Sequence, residues 1–306
     1  MKGADLFAGL GGSSEGARQA GVEVVWAANH WQPAVNAHAL NHPEAIHVCQ
    51  DLHQADWSLV PKHDVMMASP CCQGHSKARG RKAGNPQHDA SRSTAWAVVA
   101  AAECLEPPSI IVENVREFLE WSLYPSWKSA LEALGYSVAP HVVDCADLGV
   151  PQNRIRLFIV CTKSKNPLFL NLPKLPHKGA DTFIDFTKGK WSLVNKPRRA
   201  IATLERVKAG RKRFGDRFLM PYYGNGSGLT GRCLSRPIGT ITTRDRWAVV
   251  DGDRMRMIIG DEVMAGMSFP KHYQRPDSHQ LVVNMAGNAV PPLAMCEILT
   301  ALRKQA

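Results

Sequence analysis

The chain has no run of 18 consecutive apolar residues, so no membrane-spanning helix is expected. Its first residues, MKGADLFAGLGG, lack a signal-peptide layout because glycines interrupt the apolar stretch. The expectation is a cytoplasmic protein with no membrane partner. No C-x-x-C pair occurs among the eight cysteines, which argues against a zinc ribbon and a disulfide framework alike. No internal repeat or low-complexity tract is evident. Disorder is excluded by what is present, since 44% of residues are hydrophobic and 21% charged. The 306 residues suffice for one large domain or two unequal ones.

The net charge of +10 is unevenly placed. Residues 162–235 hold 16 Lys/Arg against 4 Asp/Glu, a local +12, and the remainder holds 21 against 23, or −2. A charge run is usually a solvated face. A neutral body with a strongly basic insert is also the layout of a polyanion-binding module.

Short apolar runs alternate with helical stretches through the first 160 or so residues. Strands are expected at 4–7, 22–27, 64–68, 109–112 and 155–161, and helices at 13–20, 33–41, 94–105 and 127–134. That alternation predicts an α/β fold with a doubly wound, mostly parallel sheet, which binds ligands at the carboxyl ends of its strands. Prolines 167, 173, 176, 197 and 221 break up the basic segment, which reads as a small loop-rich domain. Further strands are expected at 239–243 and 248–250, and a final helix at 292–303. The division is therefore 1–161, 162–235 and 236–306.

The residues that carry chemistry follow strand candidates. Phe7-Ala8-Gly9-Leu10-Gly11-Gly12 permits a tight turn and close approach of a cofactor to a helix N-terminus, although an ordinary strand-to-helix turn looks the same. Trp31 could stack on a purine and Asp51 could accept from its amine; their commoner roles are core aromatic and helix cap. Ser69-Pro70-Cys71-Cys72-Gln73-Gly74-His75-Ser76 places cysteines where a nucleophile would sit, against the commoner inert thiol. Lys77, Arg79, Arg81 and Lys82 follow, either as a solvated loop or as a phosphate grip. Glu113, in Glu113-Asn114-Val115, is a candidate acid or a helix cap. In Gln152-Asn153-Arg154-Ile155-Arg156, alternation points both arginines to one side of a strand. Gly287-Asn288-Ala289-Val290-Pro291 reads alone as a turn. His38 and His42 share a helix face, but with no third ligand evident they read as surface histidines, and no metal is expected.

Taken in order, F-x-G-x-G-G, C-Q-x-x-S, E-N-V, Q-x-R-x-R and G-N-x-V resemble the motifs of the DNA cytosine-5 methyltransferases of bacterial or phage type. The likeness spans all but the interval between Cys161 and Arg236, where that family carries its target-recognition domain. It implies an S-adenosylmethionine-dependent methyltransferase fold and methyl transfer to C5 of a flipped-out cytosine in double-stranded DNA. Cys72 would attack C6, Glu113 would engage N3 and the amino group, Arg156 would contact O2 and Arg154 would support the site. Phe7, Gly9, Gly11, Trp31, Asp51, Asn288 and Val290 would hold S-adenosylmethionine. Gln73, Ser76, Lys77, Arg79 and Arg81, with Arg198, Arg199, Arg211, Arg213 and Arg236 of the basic part, would contact DNA. A restriction endonuclease is the candidate partner and a monomer the expected state.

Three positions depart from the family pattern. Cys71 stands where proline is usual, His30 where an acidic ribose contact is usual, and His75 where an aromatic is usual. Cys72 is assigned as nucleophile because it precedes Gln73 and keeps Ser76 in register, with Cys71 second. The alternatives are an RNA cytosine-5 methyltransferase and a non-catalytic DNA-binding relic of the fold.

Overall fold

A computed structural model describes residues 1–71, 86–222 and 231–305, with the backbone alone over 86–93. The large sheet is built from β1 (Lys2–Leu6), β2 (Glu23–Asn29), β3 (Ile46–Cys49), β4 (Val65–Ala68), β5 (Ser109–Asn114), β6 (Ser137–Asp144) and β7 (Ile155–Thr162). Their order is β3-β2-β1-β4-β5-β7-β6, and only β7 runs antiparallel to its neighbours. The central strands β4 (VMMA) and β5 (SIIVEN) are buried throughout, as strands covered on both faces must be.

Strand alternation sends adjacent residues to opposite layers. Met66 and Ile110 pack with Val98 and Ala101 of α3 (Pro86–Leu105) and Trp127 of α4 (Tyr124–Ala133). Met67 and Ile111 pack with Ala17 of α1 (Gly12–Gln19) and Ile298 and Leu302 of α8 (Pro292–Gln305). The chain thus returns at its end to lie along α1. That return needs glycine at 12, because a Cβ there would overlap the Val290 carbonyl. α2 (Gln32–Ala39), α6 (Gly260–Gly266) and α7 (His279–Asn288) share a separate apolar cluster built around Trp247, Ile241 and Met285. The stretch 279–305 includes an 18-residue window of mean hydropathy 1.2, but it forms two helices interrupted at 289–291, and 67% of that window is buried within the protein.

Two differences from the sequence expectations have physical causes. β6 is not among the expected strands; it carries Pro140 and lies at the sheet edge, where a missing N–H is tolerated. Residues 239–243 form no strand. Their backbone is held by side chains instead: Ile241 N donates to Gln152 Oε1 at 2.8 Å, and Ile241 O accepts from Arg154 at 3.0 Å.

A second, antiparallel sheet has the order β8-β11-β10-β9, from β8 (Ser192–Leu193), β9 (Arg217–Pro221), β10 (Trp247–Asp251) and β11 (Arg254–Met257). α5 (Ile201–Phe214) packs on β9, and Val194, Val207, Phe218, Met220 and Val250 form a local core. No apolar stripe marks α5 in the sequence, because its buried positions are Thr203, Val207 and Gly210. Strands β8 and β9 come from the basic segment, while the β10–β11 hairpin lies beyond residue 235.

Candidate active site

The carboxyl ends of β1, β2, β4 and β5 open into a cleft of about 270 Å³, where strand order reverses between β1 and β4. Phe7 and Gly9 line it after β1, Asn29, His30 and Trp31 at and after β2, Pro70 and Cys71 after β4, and Glu113 on β5. Asn284, Met285, Asn288 and Val290 close it from α7 and the turn beyond. The chain must turn sharply after Leu6, and Phe7 adopts φ 62, a conformation that costs a non-glycine residue about 1–3 kcal/mol. The turn is held by Ala8 N to Ala28 O at 3.0 Å and Gly11 N to Ala8 O at 2.9 Å.

The cofactor residues expected from sequence divide. Phe7, Gly9, Trp31, Asn288 and Val290 line the cleft. Gly11, at φ +89, faces His38 and Tyr273 and does not line it. Asp51 is exposed and caps the short 3-10 helix at 52–54, accepting from His53 N at 3.0 Å. Sequence reasoning missed Asn284, although it stands one helical turn before Asn288, at the i, i+4 spacing that shares a face.

Glu113 is 7% exposed, and its Oε1 lies 3.1 Å from Arg156 Nε. Burial pushes the Glu113 carboxyl above the usual carboxylate range, against the pull of the Arg156 and Arg154 charges. It is a buried acid that holds its proton more tightly than a surface one. Asn114 turns its side chain to Pro70 O at 3.1 Å, and Cys71 N donates to Thr94 Oγ1 at 3.0 Å. Cys72, Gln73, His75, Ser76, Lys77, Arg79 and Arg81 lie outside the described residues.

The two arginines of the Q-x-R-x-R motif have different partners. Arg156 meets Glu113, whereas Arg154 is 1% exposed and donates to the carbonyls of Ile241, Gly287 and Ala289 at 2.9–3.1 Å. In the basic segment, Arg199 binds Leu193 O and Ser192 Oγ, and Arg211 binds Asp253 at 2.8 Å, so both hold the small sheet together. Arg198, Arg213 and Arg236 are exposed.

Beneath the glycine turn lies a buried polar chain. Ser14 Oγ donates to Asp5 Oδ2 at 2.6 Å and lies 2.9 Å from His38 Nε2, while His38 Nδ1 lies 2.8 Å from His47 Nε2. The expectation of surface histidines is corrected here: His38 and His42 are each 1% exposed, packed under Tyr273 and α1. Asp5 is fully buried, its Oδ1 has no hydrogen-bond partner among the described residues, and desolvation lifts its carboxyl from 3.8 to about 7. The folded carboxyl therefore binds its proton more tightly than the unfolded one. Its contribution to stability is full below 3.8 and is lost as pH rises through about 7. Asp5→Asn cannot ionise, so it is expected to gain on the parent by up to about 4 kcal/mol between acid and mildly alkaline pH. Urea unfolding of both proteins across pH checks this; a constant difference would refute it.

A seven-stranded sheet with one reversed strand and a cleft at the β1/β4 switch is the arrangement of the S-adenosylmethionine-dependent methyltransferases. The model of the C-5 cytosine-specific DNA methylase family matches residues 1–304, and the chain belongs to that family. It is 37% identical over 164 residues to the type II methyltransferase M.HgiDI of Herpetosiphon aurantiacus, covering 52% of each chain. It is 25% identical over 294 residues to M.NgoBI of Neisseria gonorrhoeae, covering 94% of this chain and 88% of that one. The chain spans about half the length of M.HgiDI and 39% of M.AgeI of Thalassovita gelatinovora. A DNMT2 variant of Spodoptera frugiperda has the same fold, with TM-score 0.71 at 17% identity over 99% of both chains.

Proposed function

We propose that this protein transfers a methyl group from S-adenosylmethionine to C5 of a cytosine flipped out of a short duplex DNA sequence. The observation that carries the reading is the meeting in one cleft of Glu113, which pairs with Arg156, and the Pro70–Cys71 peptide that leads into Cys72.

The cleft suits the methyl donor. It has an aromatic face at Trp31, amide side chains at Asn29, Asn284 and Asn288, and open backbone at Gly9, where an added Cβ would meet only Phe7 O. Gly11 and Asp51 would then act from behind the lining, Gly11 by starting α1 and Asp51 by shaping the 3-10 turn. When bound, S-adenosylmethionine supplies an electrophilic methyl group.

Cytosine C5 is a poor nucleophile. The Cys72 thiolate adds to C6, the C5=C6 π electrons move onto C5, and Glu113 gives its proton to N3. Arg156 holds Glu113 and the base oxygen O2. After C5 is methylated, its proton passes to water, the C5=C6 double bond re-forms as the Cys72 thiolate is expelled, and N3 returns its proton to Glu113. A side chain cannot reach C6 within a stacked duplex, so the base must leave the helix.

Residues 1–161 form the catalytic part, 162–235 the recognition domain with β8 and β9, and 236–306 its support, which adds the β10–β11 hairpin to the small sheet, and the return to the large domain. Gln73, Ser76, Lys77, Arg79 and Arg81 would grip DNA beside the target. Of the basic segment's arginines, Arg198, Arg213 and Arg236 are exposed and suit phosphate or guanine contact better than the partly buried Arg199 and Arg211. We place the protein in the cytoplasm as a monomer, beside a restriction endonuclease of the same specificity.

Bisulfite sequencing of DNA from cells expressing the chain tests the reading. Protected cytosines in one short context are expected, against none with empty vector. Complete conversion in both, with methyl acceptance by structured RNA instead, would overturn it in favour of an RNA methyltransferase.

A further inference from the structure

The carbonyl of Pro70 and the N–H of Cys71 belong to one planar peptide group. Both edges of that plane are held by side chains. Asn114 Nδ2 donates to Pro70 O at 3.1 Å from β5, and Cys71 N donates to Thr94 Oγ1 at 3.0 Å from α3. The Asn114 amide cannot turn over without loss, because its Oδ1 accepts from Val115 N at 2.9 Å. Thr94 stands on a fixed post. The next residue, Ala95, is 2% exposed and its carbonyl accepts from Trp127 Nε1 at 2.9 Å, which ties this turn of α3 to α4. Threonine is also stiff at χ1, and Pro70 fixes its own φ.

A plane held on opposite edges cannot translate, and it keeps one soft rotation. Only the φ and ψ of Cys71 then separate it from Cys72. We propose that Thr94 is a positioning residue for the nucleophile: its hydroxyl fixes the Pro70–Cys71 peptide from which Cys72 follows, and so supports the rate of attack on cytosine C6. This rests on the function proposed above. Thr94 is not among the residues lining the cleft, so its effect should fall on the covalent step and not on cofactor affinity.

The test uses the full chain and a duplex carrying 5-fluorocytosine at the methylated position found by bisulfite sequencing. Fluorine cannot leave as a cation, so after methylation the Cys72 adduct persists and can be counted. Thr94→Val keeps the branched shape and removes the acceptor; Thr94→Ser keeps the acceptor. Thr94→Val is expected to slow adduct formation about 10- to 100-fold, as small misplacements of a reacting group do. S-adenosylhomocysteine affinity and melting temperature should stay at the parent's values, and Thr94→Ser should recover the rate to within about threefold of the parent. Equal rates for Thr94→Val and the parent would overturn the inference alone. So would a loss of S-adenosylhomocysteine affinity in step with the rate. If Thr94→Val does not fold, failure of Thr94→Ser to match the parent's rate while matching its melting temperature overturns it. A parent that forms no adduct would overturn the function proposed for Cys72, and this inference with it.

Discussion

Cys72→Ser is expected to lower methyl transfer about a million-fold, the scale on which enzymes lose rate when a covalent nucleophile is removed. A thiol with a pKa near about 8.5 supplies some thiolate at neutral pH, and a helix terminus or cation supplies more. A serine hydroxyl supplies essentially no alkoxide, and Glu113, which burial keeps in its acid form more than usual, is a poor base for it. The change alters one atom, so S-adenosylhomocysteine binding and melting temperature should match the parent. Cys71→Ser is the internal control. Cys71 lines the cleft and shares the clamped peptide, yet its replacement should leave adduct formation with 5-fluorocytosine DNA intact. The reverse pattern, with adduct lost in Cys71→Ser and kept in Cys72→Ser, would move the nucleophile one residue back.

Arg154→Met is expected to have the largest effect on stability. The guanidinium is buried and satisfies three carbonyls, those of Ile241, Gly287 and Ala289, two of them beside the cleft-lining Asn288. Methionine fills much of the volume but donates nothing. Buried acceptors left without donors cost about 1–3 kcal/mol each, so a loss of at least about 3–5 kcal/mol follows, comparable to breaking a buried ion pair. For a chain of this size the melting temperature should fall by roughly 10 °C or more. Arg156→Met is the contrast. It removes a partner of Glu113 at the cleft while leaving those three carbonyls bonded, so it should change activity far more than melting temperature. Thermal denaturation of the two variants separates the roles. An Arg154→Met protein that melts with the parent yet forms no adduct would show that Arg154 acts in the chemistry and not in the scaffold.

Five of the seven strands of the large sheet, β1, β2, β4, β5 and β7, were legible because their signals are local. Buried parallel strands read as short apolar runs, such as Asp64–Ala68 read from sequence and β4 found at Val65–Ala68. The glycine turn after β1, the Pro70–Cys71 end of β4 and Glu113 on β5 were readable for the same reason: strand ends are where such a sheet presents chemistry, and strand ends are marked by nearby residues. Within the small sheet, neither α5 nor the partners of Arg199 and Arg211 could be read. An arginine carries the same charge whether it meets a phosphate or its own backbone, and charge counting cannot separate the two.

What the sequence determined by itself was therefore the alternation of strand and helix, the family motifs in their order, and the residue types available for the reaction. The tertiary structure alone decided which of two neighbouring arginines serves Glu113 and which staples the fold. It decided that Asp51 caps a turn outside the cleft, that His38 and His42 are buried, and that Thr94 holds the peptide before Cys72. The reason is range. Periodicity and turn chemistry act over a few residues, whereas Arg154 meets Gly287 across 133 positions of chain and Asn114 meets Pro70 across 44. Contacts of that kind exist only once the whole sheet has closed.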